Sequence, residues 1–304
     1  MYRKIMGFLE GWKESEHRKP LILQGARQVG KTYSLLEFGR THYENVAYFN
    51  FETNPKLNET FEENISPDYL IPILSHIAGQ TIVKEKTLMV FDEVQLCERA
   101  LTSLKYFCEN APDYHIIVAG SLLGVAVNRA KFSFPVGKVD MKTLYPMDME
   151  EFMMALGEDD LVKQIKKCFQ TDTPLPSALH DAAMQLYRQY LVVGGMPECV
   201  MQFAGTKDYI LVRHTQDTIL ASYLNDMSKY NTLNEIKKTR LAYDNITVQL
   251  SKKNTRFQYK LIKKGGRASE FENAIEWLCL SGIVSQVYKV EQIKKPLENY
   301  RDID

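Results

Sequence analysis

Apolar and polar positions change their rhythm twice along the chain. In the first half, short apolar runs stop abruptly at glycine or polar residues: Leu21, Ile22 and Leu23 before Gly25, residues 46–51, residues 88–91 before Asp92 and Glu93, residues 115–119 before Gly120 and Ser121, and residues 139–144. Runs of that length and sharpness predict strands buried on both faces. Segments of helical period separate them. Ile5, Met6, Phe8, Leu9 and Trp12 share one face ahead of the first run; Tyr33, Leu35, Leu36 and Phe38 follow it; and residues 67–76 are rich in leucine and isoleucine. After residues 46–51 the sequence turns polar and predicts a connection. Strands alternating with helices imply a parallel sheet covered on both faces.

From Pro146 the pattern is helical, over residues 149–156, 161–169, 183–193 and 209–230, with Gly194-Gly195-Met196-Pro197 as a corner. A third regime starts near Leu233. Helical period over 236–250 gives way to a short segment near 257–262, a Gly265-Gly266 turn, a helix over 268–280 and an alternating strand over 283–290. That order is the order of a winged helix-turn-helix. The expected organisation is a sheet-based core over 1–145, a helical lid over 146–232 and a winged-helix-like domain over 233–304.

The chemistry gathers where the first strand ends. Gly25, four spacers and Gly30-Lys31-Thr32 form the phosphate-binding P-loop pattern, placed after a strand and before a helix as its mechanism requires. Phosphate oxygens can be ringed by backbone N–H groups only where the chain turns back tightly, which glycine permits. The loop residues Gly25, Ala26, Arg27, Gln28, Val29, Gly30, Lys31 and Thr32 are therefore the expected nucleotide-binding set. Lys31 would stand beside the β- and γ-phosphates, Thr32 would give its hydroxyl to Mg²⁺, and the helix starting there would aim its positive dipole end at the same anion. The run ending in Asp92-Glu93 reads as the other half of the site, with Asp92 on Mg²⁺ and Glu93 polarising the attacking water. Ser121, after the fourth strand, is expected between the two halves, in reach of the γ-phosphate. The fold class is thus α/β, a three-layer P-loop NTPase sheet followed by a helical lid and a winged-helix-like domain.

Composition narrows this picture little. The 304 residues carry 38 basic and 38 acidic side chains, so nucleic-acid binding has to be argued locally. One such place exists. Between residues 237 and 267 stand Lys237, Lys238, Arg240, Lys252, Lys253, Arg256, Lys260, Lys263, Lys264 and Arg267 against Asp244 alone. The following helix, where a major groove would be read, is acidic instead, with Glu270, Glu272 and Glu276. Contact with a phosphate backbone, a protein-interaction module and a solvated surface all remain open for this segment. The five cysteines, Cys97, Cys108, Cys168, Cys199 and Cys279, form no C-x-x-C pair and predict buried thiols in a reducing cytoplasm. The six histidines are scattered, which leaves Mg²⁺ on a nucleotide as the expected metal. Residues 1–10 are charged at Arg3, Lys4 and Glu10, unlike a signal peptide, and no apolar run reaches membrane-spanning length.

These residues resemble the bacterial and archaeal ATPases of the AAA superfamily in which a P-loop domain is joined to a C-terminal domain of unknown function. The matching stretches are RKPLILQGARQVGKT, TLMVFDEVQ, SLKYFCENAPDYHIIVAGSLLGV, SFPVGKVDMKTLYPMDMEEF, YLVVGGMPE and the final winged-helix region, nearly the whole chain. The resemblance implies ATP as the nucleotide, phosphate binding at 25–32, Mg²⁺ at Asp92, water activation at Glu93 and sensing at Ser121. Many relatives carry arginine where this chain has Lys138, and lysine is not an equivalent fork for phosphate. Arg99 and Arg129 are the other candidates for an arginine finger supplied across subunits, with exposed surface charge as the alternative. Relatives usually continue into a nuclease-like segment, of which residues 296–300 look like the beginning. The leading expectation is an Mg²⁺-dependent ATPase acting as a nucleotide-driven switch, with a protein partner or a second copy of the chain possible. One alternative is a nucleic-acid-binding regulator with a structural ATP site. The other is a GTPase, for which Gly137-Lys138-Val139-Asp140 lacks the asparagine of N-K-x-D and Asp92 is followed by Glu-Val-Gln rather than x-x-Gly.

Overall fold

The structure, a computed structural model, describes residues 1–120, 134–229, 233–253 and 256–300. Two compact units divide the chain, Met1–Asp226 and Met227–Asp304.

The first unit is built on five parallel strands: β1 Leu21–Gln24, β2 Asn45–Asn50, β3 Thr87–Asp92, β4 His115–Gly120 and β5 Asp140–Thr143, in the order β2-β3-β4-β1-β5. The register pairs Leu21 with Ile117 and with Asp140, Asn50 with Asp92, and Phe91 with Val118. All six residues of β3 and of β4 are buried, as continuous apolar runs in a sheet covered on both faces must be. At the sheet's edge β5 is half exposed and shorter than residues 139–144 suggested. Helices α1 Ile5–Glu14, α2 Lys31–His42, α3 Pro55–Glu63, α4 Pro67–Ala78 and α5 Glu98–Asn110 accompany the strands. Helix α3 lies where a polar connection was expected. Pro55 starts it, and its two apolar residues, Leu57 and Phe61, are spaced i, i+4 and fully buried. So sparse a stripe is enough because Phe61 meets Phe51 and Phe91 at ring distances of 5.6 and 5.7 Å, beside Phe49 in the same cluster.

Beyond the sheet come α6 Met149–Ala155, α7 Asp159–Gln170, α8 Ser177–Val193, α9 Pro197–Thr206 and α10 Tyr209–Lys229. A capping box opens α6: the Asp148 carboxylate accepts from Glu151 N at 2.9 Å, and the Glu151 carboxylate accepts from Asp148 N at 3.2 Å. At the glycine corner, Gly194 has φ +74°, and a Cβ on Gly195 would lie 2.1 Å from Met147 O. The two backbones pass closely enough for Met147 N to donate to Gly195 O at 2.6 Å.

The second unit pairs α11 Leu233–Leu250 with α12 Ala268–Leu280, whose Phe271, Ala274, Ile275, Trp277 and Leu278 are buried. The outward face of α12 carries exposed Glu272 and Glu276. The strand expected over 283–290 does not form. Residues 283–289 are irregular, and Val287 is 93% exposed. Alternation alone does not make a strand; a ladder of paired N–H and C=O groups is needed as well, and among the described residues none runs over 283–289. Among the described residues, only the short 3-10 turn Tyr259–Leu261 forms between the two helices, and the wing is not found.

Candidate nucleotide site

Strand β1 delivers the chain into the loop at Gly25, where φ is +151° and a Cβ would stand 2.2 Å from Leu144 O. Only glycine fits there, because the obstacle is backbone. Gln28 and Gly30 also take positive φ, +64° and +90°. Gly30 leads into α2 with no side chain capping the first turn, which leaves the amides of that turn free for an anion.

Lys31, 8% exposed, folds back so that Nζ donates to Gly25 O at 2.9 Å and Ala26 O at 2.8 Å. Burial pushes its ammonium down to about 8, against the pull of Glu93 and Asp92. Next to it, Thr32 Oγ1 donates to Asp92 Oδ2 at 2.7 Å, and Glu93 N donates to Asp92 Oδ1 at 3.0 Å. Glu93 has left-handed backbone, φ +53°, at the break between β3 and the short turn Val94–Leu96. Burial raises its carboxyl, and the Gln95 side-chain amide donates to it.

Parallel strands carry these groups to one end of the sheet, and β4 separates β1 from β3. Lys31, Thr32, Asp92 and Glu93, sixty residues apart in sequence, thus form one cluster. Ser121 and Arg129 lie outside the described residues. Arg99 is committed elsewhere: its Nε donates to Phe61 O at 2.8 Å and lies 3.6 Å from Glu62. Lys138 pairs with Glu109 at 2.9 Å on the surface.

Three contributors carried no sequence signal. Tyr48, on β2, donates its hydroxyl to Asp92 Oδ2 at 2.8 Å, and Asn50 Nδ2 donates to that hydroxyl at 3.2 Å. Arg3 Nη1 donates to Val29 O, and Tyr223 Oη donates to Arg27 O, both at 2.8 Å. A fourth, Glu151, could have been found from its Asp148-x-x-Glu151 capping spacing.

The donor set suits Mg²⁺. A threonine hydroxyl and a carboxylate oxygen in contact are hard oxygens of the kind that ion takes beside phosphate and water. Among the described residues, no group of three or more His, Cys, Asp or Glu side chains forms an all-protein metal cage.

Comparison with known proteins agrees with this geometry. Residues 17–153 match the family described as an AAA domain. Residues 17–153, within the first unit, are thus assigned to the AAA superfamily of P-loop domains. Residues 184–301 match a domain of unknown function, DUF8612, which starts within α8. The Walker-type ATPase PABY2304 of Pyrococcus abyssi is similar in fold at TM-score 0.53 and 14% identity, over 92% of this chain and 89% of that one. ORC2 of Aeropyrum pernix aligns at TM-score 0.44 and 13% identity, over 93% of this chain and 87% of that one. For RuvB of Thermotoga maritima the TM-score is 0.40 and the identity 14%, over 93% and 88%. No curated protein matches. The AAA match spans all five strands, in whose order the P-loop and Asp92 strands flank a third. No helix among the described residues is long and apolar enough to cross a membrane.

Proposed function

We propose that the AAA domain binds ATP with Mg²⁺ and hydrolyses it to ADP and phosphate, as a switch whose nucleotide state is passed to the helices after residue 146. The observation that carries this reading is the 2.7 Å contact between Thr32 and Asp92, set beside buried Lys31 with Glu93 one residue on. In this reading the loop amides and Lys31 hold the β- and γ-phosphates, and Thr32 and Asp92 hold the metal. Bound Mg²⁺ would neutralise charge on the phosphates. Glu93 orients the attacking water and accepts its proton, a role suited to a carboxyl whose proton affinity is raised by burial. Gln95 must first release that carboxylate. Phosphoryl transfer to water asks little more than such positioning and charge stabilisation.

Single-turnover hydrolysis of Mg·ATP, run beside a nucleotide titration, tests the assignment. Wild type should turn over, Glu93→Gln should bind without turnover, and Lys31→Ala should lose binding. Equal binding by all three with no hydrolysis would refute the catalytic roles.

A second reading, a nucleic-acid-binding regulator, rests on the second unit. Among the described residues, Lys252, Lys253, Lys260, Lys264 and Arg267 are exposed and make no ion pair, whereas Lys263 lies 3.3 Å from Glu270. ATP, a second copy of the chain and a phosphate backbone are the partners this proposal covers. The five cysteines, all free, are compatible with a cytoplasmic setting.

A further inference from the structure

A phosphate loop presents its amides to the ligand, so its carbonyls must find partners on the other side. The carbonyls of this loop have two kinds of donor. Gly25 O and Ala26 O accept from Lys31, and Gly30 O accepts from Ser34 N inside α2. Those donors belong to the loop or its own helix, and Lys31 is the group that would turn to a phosphate. Arg27 O and Val29 O are held from elsewhere, by the Tyr223 hydroxyl on α10 and by the Arg3 guanidinium ahead of α1.

Arg3 is 3% exposed, and each of its three side-chain nitrogens donates. Besides Val29 O, its Nη2 donates to Tyr145 O at 2.8 Å and its Nε to Glu151 Oε1 at 3.1 Å. Glu151 is fixed in turn by Lys4 N at 2.7 Å and by its place in the α6 capping box. Tyr223 is 9% exposed. Neither donor needs to move when Lys31 does.

In a trans peptide the C=O of one residue and the N–H of the next point in opposite directions. Turning Arg27 C=O outward therefore turns Gln28 N–H inward, and turning Val29 C=O outward does the same for Gly30 N–H. Each of those two planes leads into a residue of positive φ, Gln28 at +64° and Gly30 at +90°. We propose that Arg3 and Tyr223 are positioning residues of the nucleotide site, pinning the 27–28 and 29–30 peptide planes so that both amides face the phosphates before ligand arrives. This rests on the P-loop being a nucleotide site. It also ties the loop to α6 through Glu151 and to α10 through Tyr223, two helices the sequence assigned to the lid.

The test is Tyr223→Phe, which keeps the ring and removes the one donor, together with Arg3→Lys, which keeps a charge near Glu151 but cannot fork across three acceptors. Mg·ADP affinity by calorimetry, thermal midpoint without nucleotide, and KM against kcat for ATP are measured on the full chain. The expected result for Tyr223→Phe is affinity weakened about five- to tenfold, the scale of one hydrogen bond. KM should rise by the same factor while kcat is unchanged, and Arg3→Lys should follow the same split. Wild-type affinity and KM in Tyr223→Phe with a lowered thermal midpoint would overturn the proposal, leaving a structural contact only. A wild-type chain that binds no nucleotide would overturn both this inference and the site reading beneath it.

Discussion

His115 opens β4 at the end of the strand opposite Gly120, and its titration gives a quantitative check on the first unit. It is 4% exposed; Nδ1 lies 2.7 Å from the Tyr43 hydroxyl, and Nε2 is buried without a partner. Its ring meets Trp12 edge-on at 6.0 Å. Burial, and then the charges of Arg18 and Lys13, push its proton affinity from 6.5 down to about 4. Above pH 6.5 the imidazole is neutral in both folded and unfolded chains, so the group is silent. Below it the unfolded chain takes up the proton first, and the folded state loses ground until the pH falls through about 4. The gap corresponds to about 3 kcal/mol of stability lost between pH 6.5 and 4. Asparagine at 115 keeps an acceptor near Nδ1 and removes the titration. Because Trp12 and Trp277 are the two tryptophans, one in each unit, Trp277→Phe lets Trp12 report the first unit alone. Urea unfolding of that variant, with and without His115→Asn, should diverge on acidification by about 1 M in midpoint. In the absence of urea, quenching of Trp12 by protonated His115 should have its midpoint near pH 4. Parallel loss of stability in both proteins, or a quenching midpoint near 6.5, would refute the argument.

Two further outcomes are expected. Gly195→Ala should lower the thermal midpoint, with a cost of about 1–3 kcal/mol, because its Cβ would meet the Met147 carbonyl at 2.1 Å; Gly205→Ala in α9, with nothing within 4 Å, should be neutral or stabilising. If the second unit contacts nucleic acid, neutralising Lys260, Lys263, Lys264 and Arg267 together should abolish salt-dependent binding of a fluorescent duplex, and unchanged binding would remove that reading.

Much of the first unit was legible in the sequence because each of its signals is local. A strand that stops at Gly25 and resumes as a helix at Lys31, or an apolar run that ends at Asp92-Glu93, has its meaning written into consecutive residues. Helix α3 escaped because Leu57 and Phe61 make a stripe too thin to read without the aromatic cluster that receives it. The strand expected over 283–290 is the converse: its alternation is real, but residues 283–289 lie in no strand.

The sequence by itself determined which groups are available for phosphate and metal, since a glycine spacing and a strand-end carboxylate pair are dictated by covalent geometry and short-range periodicity. The tertiary structure alone decided who keeps those groups in place. The insertion of β4 between β1 and β3, the Tyr48 hydroxyl on Asp92, and the reach of Arg3 and Tyr223 to the back of the loop join residues up to 196 positions apart. Contacts at that separation depend on how helices and strands stack across the sheet. No local pattern of hydrophobic and polar residues encodes them.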